Sequence, residues 1–205
     1  MPSSVIMKIE HYHDFLHYKN QGLKEKTTGA ITKFIDSFEN YEEKESWVLE
    51  YLPKLETNIY GRIQVRYELF EQIIFPVLLR GYNNKNVELM LWLAKLCVDF
   101  YQNEKVWEKI NYISKVEIIE ECYTLEPDNE AIRKLLLQLK IEEVEYSTHE
   151  WPDGILYGHN GATIDECNIL LEEIPFINKL DKNKEYQEFI QDYENKVKEY
   201  MKRLV

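Results

Sequence analysis

Apolar residues recur along this chain at steps of three and four, a spacing that gathers them on one face of an α-helix and that a strand cannot use. Tyr186, Ile190, Tyr193, Val197, Tyr200 and Leu204 alternate such steps over the last segment. They form a heptad seam, expected to dock on the helix's own domain. Val5, Ile9, Tyr12 and Leu16 mark a first helix stopped near Gly22, and Ile31, Phe34, Ile35 and Phe38 a second. Trp47 to Leu52 belong to a third that runs into Pro53. Between residues 59 and 79 a short alternation imitates a strand, but Ile59, Ile63, Phe70, Ile74 and Val77 keep helical spacing, with Pro76 expected to kink the end.

Gly81 and the following "NNKN" are expected to form a turn, followed by a helix over 86–102 and another over 106–125. Asp128 or Asn129 should cap the helix carrying Ile132, Leu135, Leu136 and Leu139. Thr163 and Glu166 have the spacing of a capping box, opening a helix predicted to end before Pro175. The expected fold is therefore all-α: a single domain over residues 1–205, with about eight to ten helices and stacked antiparallel helical hairpins in its second half.

The chain carries 37 acidic and 25 basic residues, a net charge of −12. Such a balance repels phosphate backbones, and no basic stripe offsets it, so nucleic-acid binding is disfavoured. It suits a basic protein partner instead. The longest apolar run, Ile73 to Leu79, is too short to cross a bilayer and contains Pro76. Three cysteines at wide gaps, Cys97, Cys122 and Cys167, fit neither a disulfide framework nor a zinc knuckle. A cytoplasmic protein that binds no membrane is expected. Phosphate-binding loops, nucleophile elbows and cysteine–histidine motifs are absent, so no cofactor and no catalytic residue are assigned.

One segment breaks the helical rhythm. "HEWPDGILYGHNG", residues 149–161, holds three of the seven glycines and two of the five histidines. "WPDG" reads as a turn with Gly154 left-handed, and Asn160–Gly161 is the pair that tight hairpins favour. Ile155, Leu156 and Tyr157 between them are too apolar to stand in solvent, so an ordered loop or small hairpin at 147–162 is expected, pinned by Ile155, Leu156 and Trp151. His149, Trp151, Tyr157 and His159 are its candidate recognition surface, since Trp and Tyr are residue types that anchor interfaces.

A second candidate lies on the first helix. Glu10 and His13 have the Glu-x-x-His spacing of di-iron bundles, and His13 and His17 the spacing of a zincin helix with Asp14 in place of its glutamate. On a helical wheel these groups share one face, which makes a metal-dependent hydrolase the alternative function. Val5, Ile9, Tyr12 and Leu16 lie opposite, which turns the polar face toward water.

Residues 122–136, CYTLEPDNEAIRKLL, resemble a junction between tetratricopeptide repeats through Cys122, Leu125, Pro127, Asn129 and Ala131. The resemblance implies stacked helical hairpins. By type, the small size, acidity, aromatic richness and lack of catalytic motifs are similar to bacterial toxin-immunity proteins. That likeness implies a non-catalytic domain that binds and neutralises a partner.

Overall fold

The computed structural model describes residues 3–55, 65–96 and 104–204, with side chains placed from Glu10 onward except that of Lys105. The described chain is all-α apart from one two-stranded ribbon, and it divides into two compact units, Met1–Ile118 and Ile119–Val205.

In the first unit α1 (Ser3–Asn20) packs against α2 (Lys24–Asp36). Gly22 turns the chain between them at φ +69°, a conformation open to glycine at little cost. Among the described side chains of α1 the deepest is Phe15, one residue from the predicted stripe, and Ile31, Phe34 and Ile35 of α2 are buried as well. Asn40 caps α3 (Tyr41–Tyr51) by accepting the Glu43 amide at 2.9 Å, and a short 3-10 turn, Leu52–Lys54, follows as the chain meets Pro53.

The helix expected from residue 59 starts at α4 (Tyr67–Leu69); Ile59 and Ile63 lie outside the described residues. A π turn, Phe70–Ile74, carries α4 into α5 (Phe75–Asn83). Pro76 explains the wide turn. It has no N–H for the Gln72 carbonyl one turn back, and its ring crowds that carbonyl. The oxygen is taken by Lys44 of α3, whose ammonium donates to it at 3.2 Å.

Gly81 is not in the predicted turn but inside α5, because its missing side chain lets α6 (Val87–Leu96) approach. A β-carbon there would meet Leu89 Cγ at 3.0 Å and its Cβ and Cδ1 closer still. Gly81→Ala should therefore lose about 2 kcal/mol of unfolding free energy by overpacking, where an unstrained glycine-to-alanine change inside a helix would gain stability. A melting temperature at or above that of the parent protein would refute the close approach.

The helix expected over 106–125 is two. α7 (Glu104–Lys109) ends where Asn111 and Tyr112 turn left-handed, at φ 54° and 58°. α8 (Lys115–Leu125) begins at its own capping box, in which the Glu117 amide donates to Ser114 Oγ at 3.2 Å and the Ser114 amide to Glu117 Oε2 at 2.7 Å. Met90, Leu93 and Ala94 of α6 are buried as predicted, whereas Cys97 and Tyr101 lie outside the described residues.

In the second unit Asn129 caps α9 (Glu130–Ser147), and α9 and α11 (Gln187–Leu204) both pack on α10 (Ile164–Leu180) or its flanks. Thr163 and Glu166 form the predicted capping box at the start of α10. The helix continues through Pro175 instead of ending before it. Pro175 faces solvent while Ile174, Ile177 and Leu180 keep a buried stripe, and that burial outweighs the proline's cost. Asp181 ends it, accepting the Glu185 and Tyr186 amides at 2.9 and 2.8 Å. Ile190, Tyr193 and Val197 of the α11 seam are buried, Tyr186 and Tyr200 half-buried, and Leu204 exposed.

Two cations occupy core positions of α9. Arg133 donates to the Leu180 carbonyl and pairs with Glu130 through Nε at 2.9 Å. Lys140, 7% exposed, sets its ammonium among Glu120 at 2.8 Å, Glu143 at 3.2 Å and Glu173 at 3.3 Å.

Candidate functional site

The 149–161 segment begins where α9 unwinds. Ser147 and Thr148 hydroxyls both donate back to the Val144 carbonyl, at 3.0 and 3.1 Å, and so compete with the helix's own hydrogen bonds. The chain reverses from Glu150 to Asp153, whose amide donates to the Glu150 carbonyl at 2.8 Å, and the Trp151–Pro152 bond within that turn is cis. Gly154 is not left-handed, as expected from the sequence, because the reversal is complete before it.

Beyond the turn, β1 (Leu156–Tyr157) pairs antiparallel with β2 (Asn160–Gly161), Leu156 opposite Gly161 and Tyr157 opposite Asn160. The small hairpin is present, but its turn is Gly158–His159. Asn160–Gly161 lies in the second strand, and Gly158, at φ +61°, supplies the positive angle that a two-residue hairpin needs. Gly161 lies over α11, where a β-carbon would stand 3.2 Å from the Tyr200 hydroxyl.

The hairpin has an anchored side and a displayed side. Ile155 is fully buried and Ala162 nearly so, and the Ala162 amide donates to the Ile155 carbonyl at 2.7 Å. Trp151, expected as a buried pin, is half-exposed. Arg203 of α11 holds it from above, its guanidinium 4.7 Å from the ring and donating to the Pro152 carbonyl at 2.6 Å. Tyr157, expected to be too apolar for solvent, faces it because it stands at the turn end of the short strand, where its phenol tip stays hydrated, while Ile155 takes the buried position; His159 and His149 face solvent too.

Tyr146 joins the two histidines. Its ring stacks on His149 with centroids 5.6 Å apart, and its hydroxyl lies 3.3 Å from His159 Nδ1. His149 Nε2 is 2.8 Å from Glu150. The structure thus brings His149 and His159 together through Tyr146, and holds Trp151 separately on Arg203. Sequence reasoning passed over both Tyr146 and Arg203. Tyr146 carried a local signal, three residues before His149 at the end of the same helix. Arg203 carried none, being 51 residues from the carbonyl it binds.

Glu10, His13 and His17 are exposed on α1, and among the described residues no three His, Cys, Asp or Glu side chains gather as a metal site. Desolvation pushes the buried Cys122 thiol up to about 11 and raises that of Cys167, which keeps both protonated and poorly nucleophilic near neutrality. No helix among the described residues is long and apolar enough to cross a membrane. Comparison with protein families, curated proteins and solved structures finds no match to this chain.

Proposed function

We propose that the chain is a non-catalytic protein-binding domain that presents the 149–161 hairpin to a basic partner, in the manner of an immunity protein neutralising a toxin. The observation that carries this reading is a division of labour between anchored and displayed residues at the hairpin. Ile155, Ala162 and the Arg203 clamp fix the backbone, while Tyr157, His159 and His149 are turned outward and Trp151 stays half-open. A pre-ordered aromatic surface loses little conformational entropy on binding. Exposed Glu150 and Asp153 within the segment and Glu145 just before it give it the sign that attracts a basic surface.

Capture of partners from lysate, followed by stopped-flow association with the purified partner, tests the reading. A His149→Ala/Tyr157→Ala/His159→Ala variant should bind its partner at least about tenfold more weakly with an unchanged melting temperature. Ile155→Ala should instead lose about 2 kcal/mol of stability, as truncation of a buried isoleucine does. Association with the parent protein should slow as salt rises, because exposed charges are screened beyond about 8 Å at physiological ionic strength. Co-expression should suppress any toxicity of the captured partner. A partner held equally well by the triple variant would overturn the reading.

A further inference from the structure

The first unit holds a cavity of about 500 Å³. Its lining is aromatic: Tyr12 from α1, Phe34 from α2, Phe38 just beyond it, and Trp47 and Tyr51 from α3. Trp47 is the hub. It stacks on Tyr51 with centroids 4.4 Å apart, and meets Tyr12, Phe34 and Phe38 edge-on at 70°, 63° and 71°. Edge-on contacts of this kind are ordinary among packed aromatic rings, and it is their partial exposure that marks an opening. Phe34 is buried, but Trp47, Tyr51, Tyr12 and Phe38 each keep some exposure, so the cavity opens to solvent.

The polar part of the lining has a sign. Glu43 and Glu50 contribute two carboxylates against the single ammonium of Lys54, with His13 and Ser46 beside them. Burial pushes the Tyr12 phenol upward, with the Tyr51 phenol beside it adding to the shift, so both rings stay neutral at physiological pH. Among the described residues no cation lies over the rings of Tyr12, Trp47 or Tyr51. Elsewhere the chain does use this contact, with Arg80 4.4 Å from the Tyr41 ring centre and Lys95 4.5 Å from that of Trp92. Aromatic walls with acidic groups at the edge suit a poorly hydrated cation. The rings' electron-rich faces attract the charge, apolar contact favours the alkyl groups around it, and the carboxylates supply longer-range attraction.

We propose that this cavity binds an alkylated ammonium group, the head of a choline-like small molecule or of a methylated lysine. A simple inorganic cation is too strongly hydrated for such walls, and an anion meets two carboxylates.

The 205-residue chain can be titrated with choline while the indole N–H resonances of its four tryptophans are followed by NMR. The Trp47 resonance, assigned by its loss in Trp47→Phe, should move saturably while the other three stay. Dimethylbutanol, the neutral isostere of choline, should need about tenfold higher concentration for the same shift. Glu50→Lys, at an exposed position that leaves the fold intact, should also weaken choline binding about tenfold. An acetylated trimethyllysine amide run in parallel identifies the source. Tighter binding than choline assigns the head group to a modified protein side chain, and weaker binding assigns it to a free cation. Equal binding of choline and its neutral isostere, an unmoved Trp47 resonance, or indifference to Glu50→Lys would each overturn the proposal.

Discussion

Replacing Lys140 by methionine should destabilise the second unit by about 3 kcal/mol at neutral pH. Methionine fills much of the lysine's volume, so packing is largely kept and the loss is electrostatic. Glu120, Glu143 and Glu173 would face one another with no ammonium among them. The figure sits at the low end for a broken buried pair because these carboxylates are 36%, 50% and 45% exposed and partly screened by water. The pH dependence has a definite sign. In the parent protein desolvation would lower the Lys140 pKa but the three glutamates raise it, so its contribution is fully present below the free-lysine value as long as the glutamates stay ionised, and it fades in strong alkali. In the variant, repulsion among carboxylates raises their folded-state pKa values, a tendency already visible at Glu143, whose carboxyl burial pushes up. The deficit should therefore shrink as pH falls from 7 toward 5, when the carboxylates take up protons. Urea unfolding at the two pH values measures it. An equal deficit at both would show that the loss is one of packing.

Arg133→Ala should cost about 3 to 4 kcal/mol, the combined effect of a cavity and an orphaned carbonyl. Arg133 is 2% exposed, and its guanidinium is the donor that satisfies the Leu180 carbonyl at the end of α10. A cation at a helix C-terminus also complements the helix dipole. Arg133→Lys should recover only part of the loss, since one ammonium lacks the fork that serves Leu180 and Glu130 together. The same contact leaves an acid signature. The Arg133 hydrogen bond holds the Glu130 carboxyl at about 2, so its contribution is present above the ordinary carboxylate range and is lost as pH falls through about 2. Stability of the alanine variant should lack that component of acid sensitivity. An Arg133→Ala protein as stable as its parent would remove Arg133 from the framework.

Much of the fold was legible because helix ends and apolar stripes are local. Asn129 and the Thr163–Glu166 box were readable from a few residues each. The break between α7 and α8 was readable by the same rule, since Ser114 and Glu117 repeat that box, but the continuous apolar run across it hid the signal. Pro175 misled because propensity argues for a stop while a buried stripe argues for continuation, and packing prevails. Gly81 could not be placed from its neighbours, because the reason for it is Leu89 on the next helix. The two cations of α9 had a faint signature: Arg133, Leu137, Lys140, Val144 and Ser147 alternate steps of four and three, so charged residues stand on an otherwise core-like stripe. Charged residues are ordinarily assigned to the surface, and only their partners, up to 47 residues away, reveal otherwise. At the candidate site the displayed residues were legible by composition, whereas the clamp from Arg203 was a matter of tertiary structure alone.

The anchored hairpin also bears on how such a chain can change over generations. Ile155 and Ala162 tie the segment to the helices, and Gly158 sets its turn, so those three positions tolerate little. Tyr157 and His159 stand between them with their side chains in solvent, where substitution typically alters stability by less than about 0.5 kcal/mol. Selection can therefore rewrite the outward pair without renegotiating the scaffold. One helical framework can carry a succession of different tips, and related chains can diverge first at those two positions while their cores remain alike.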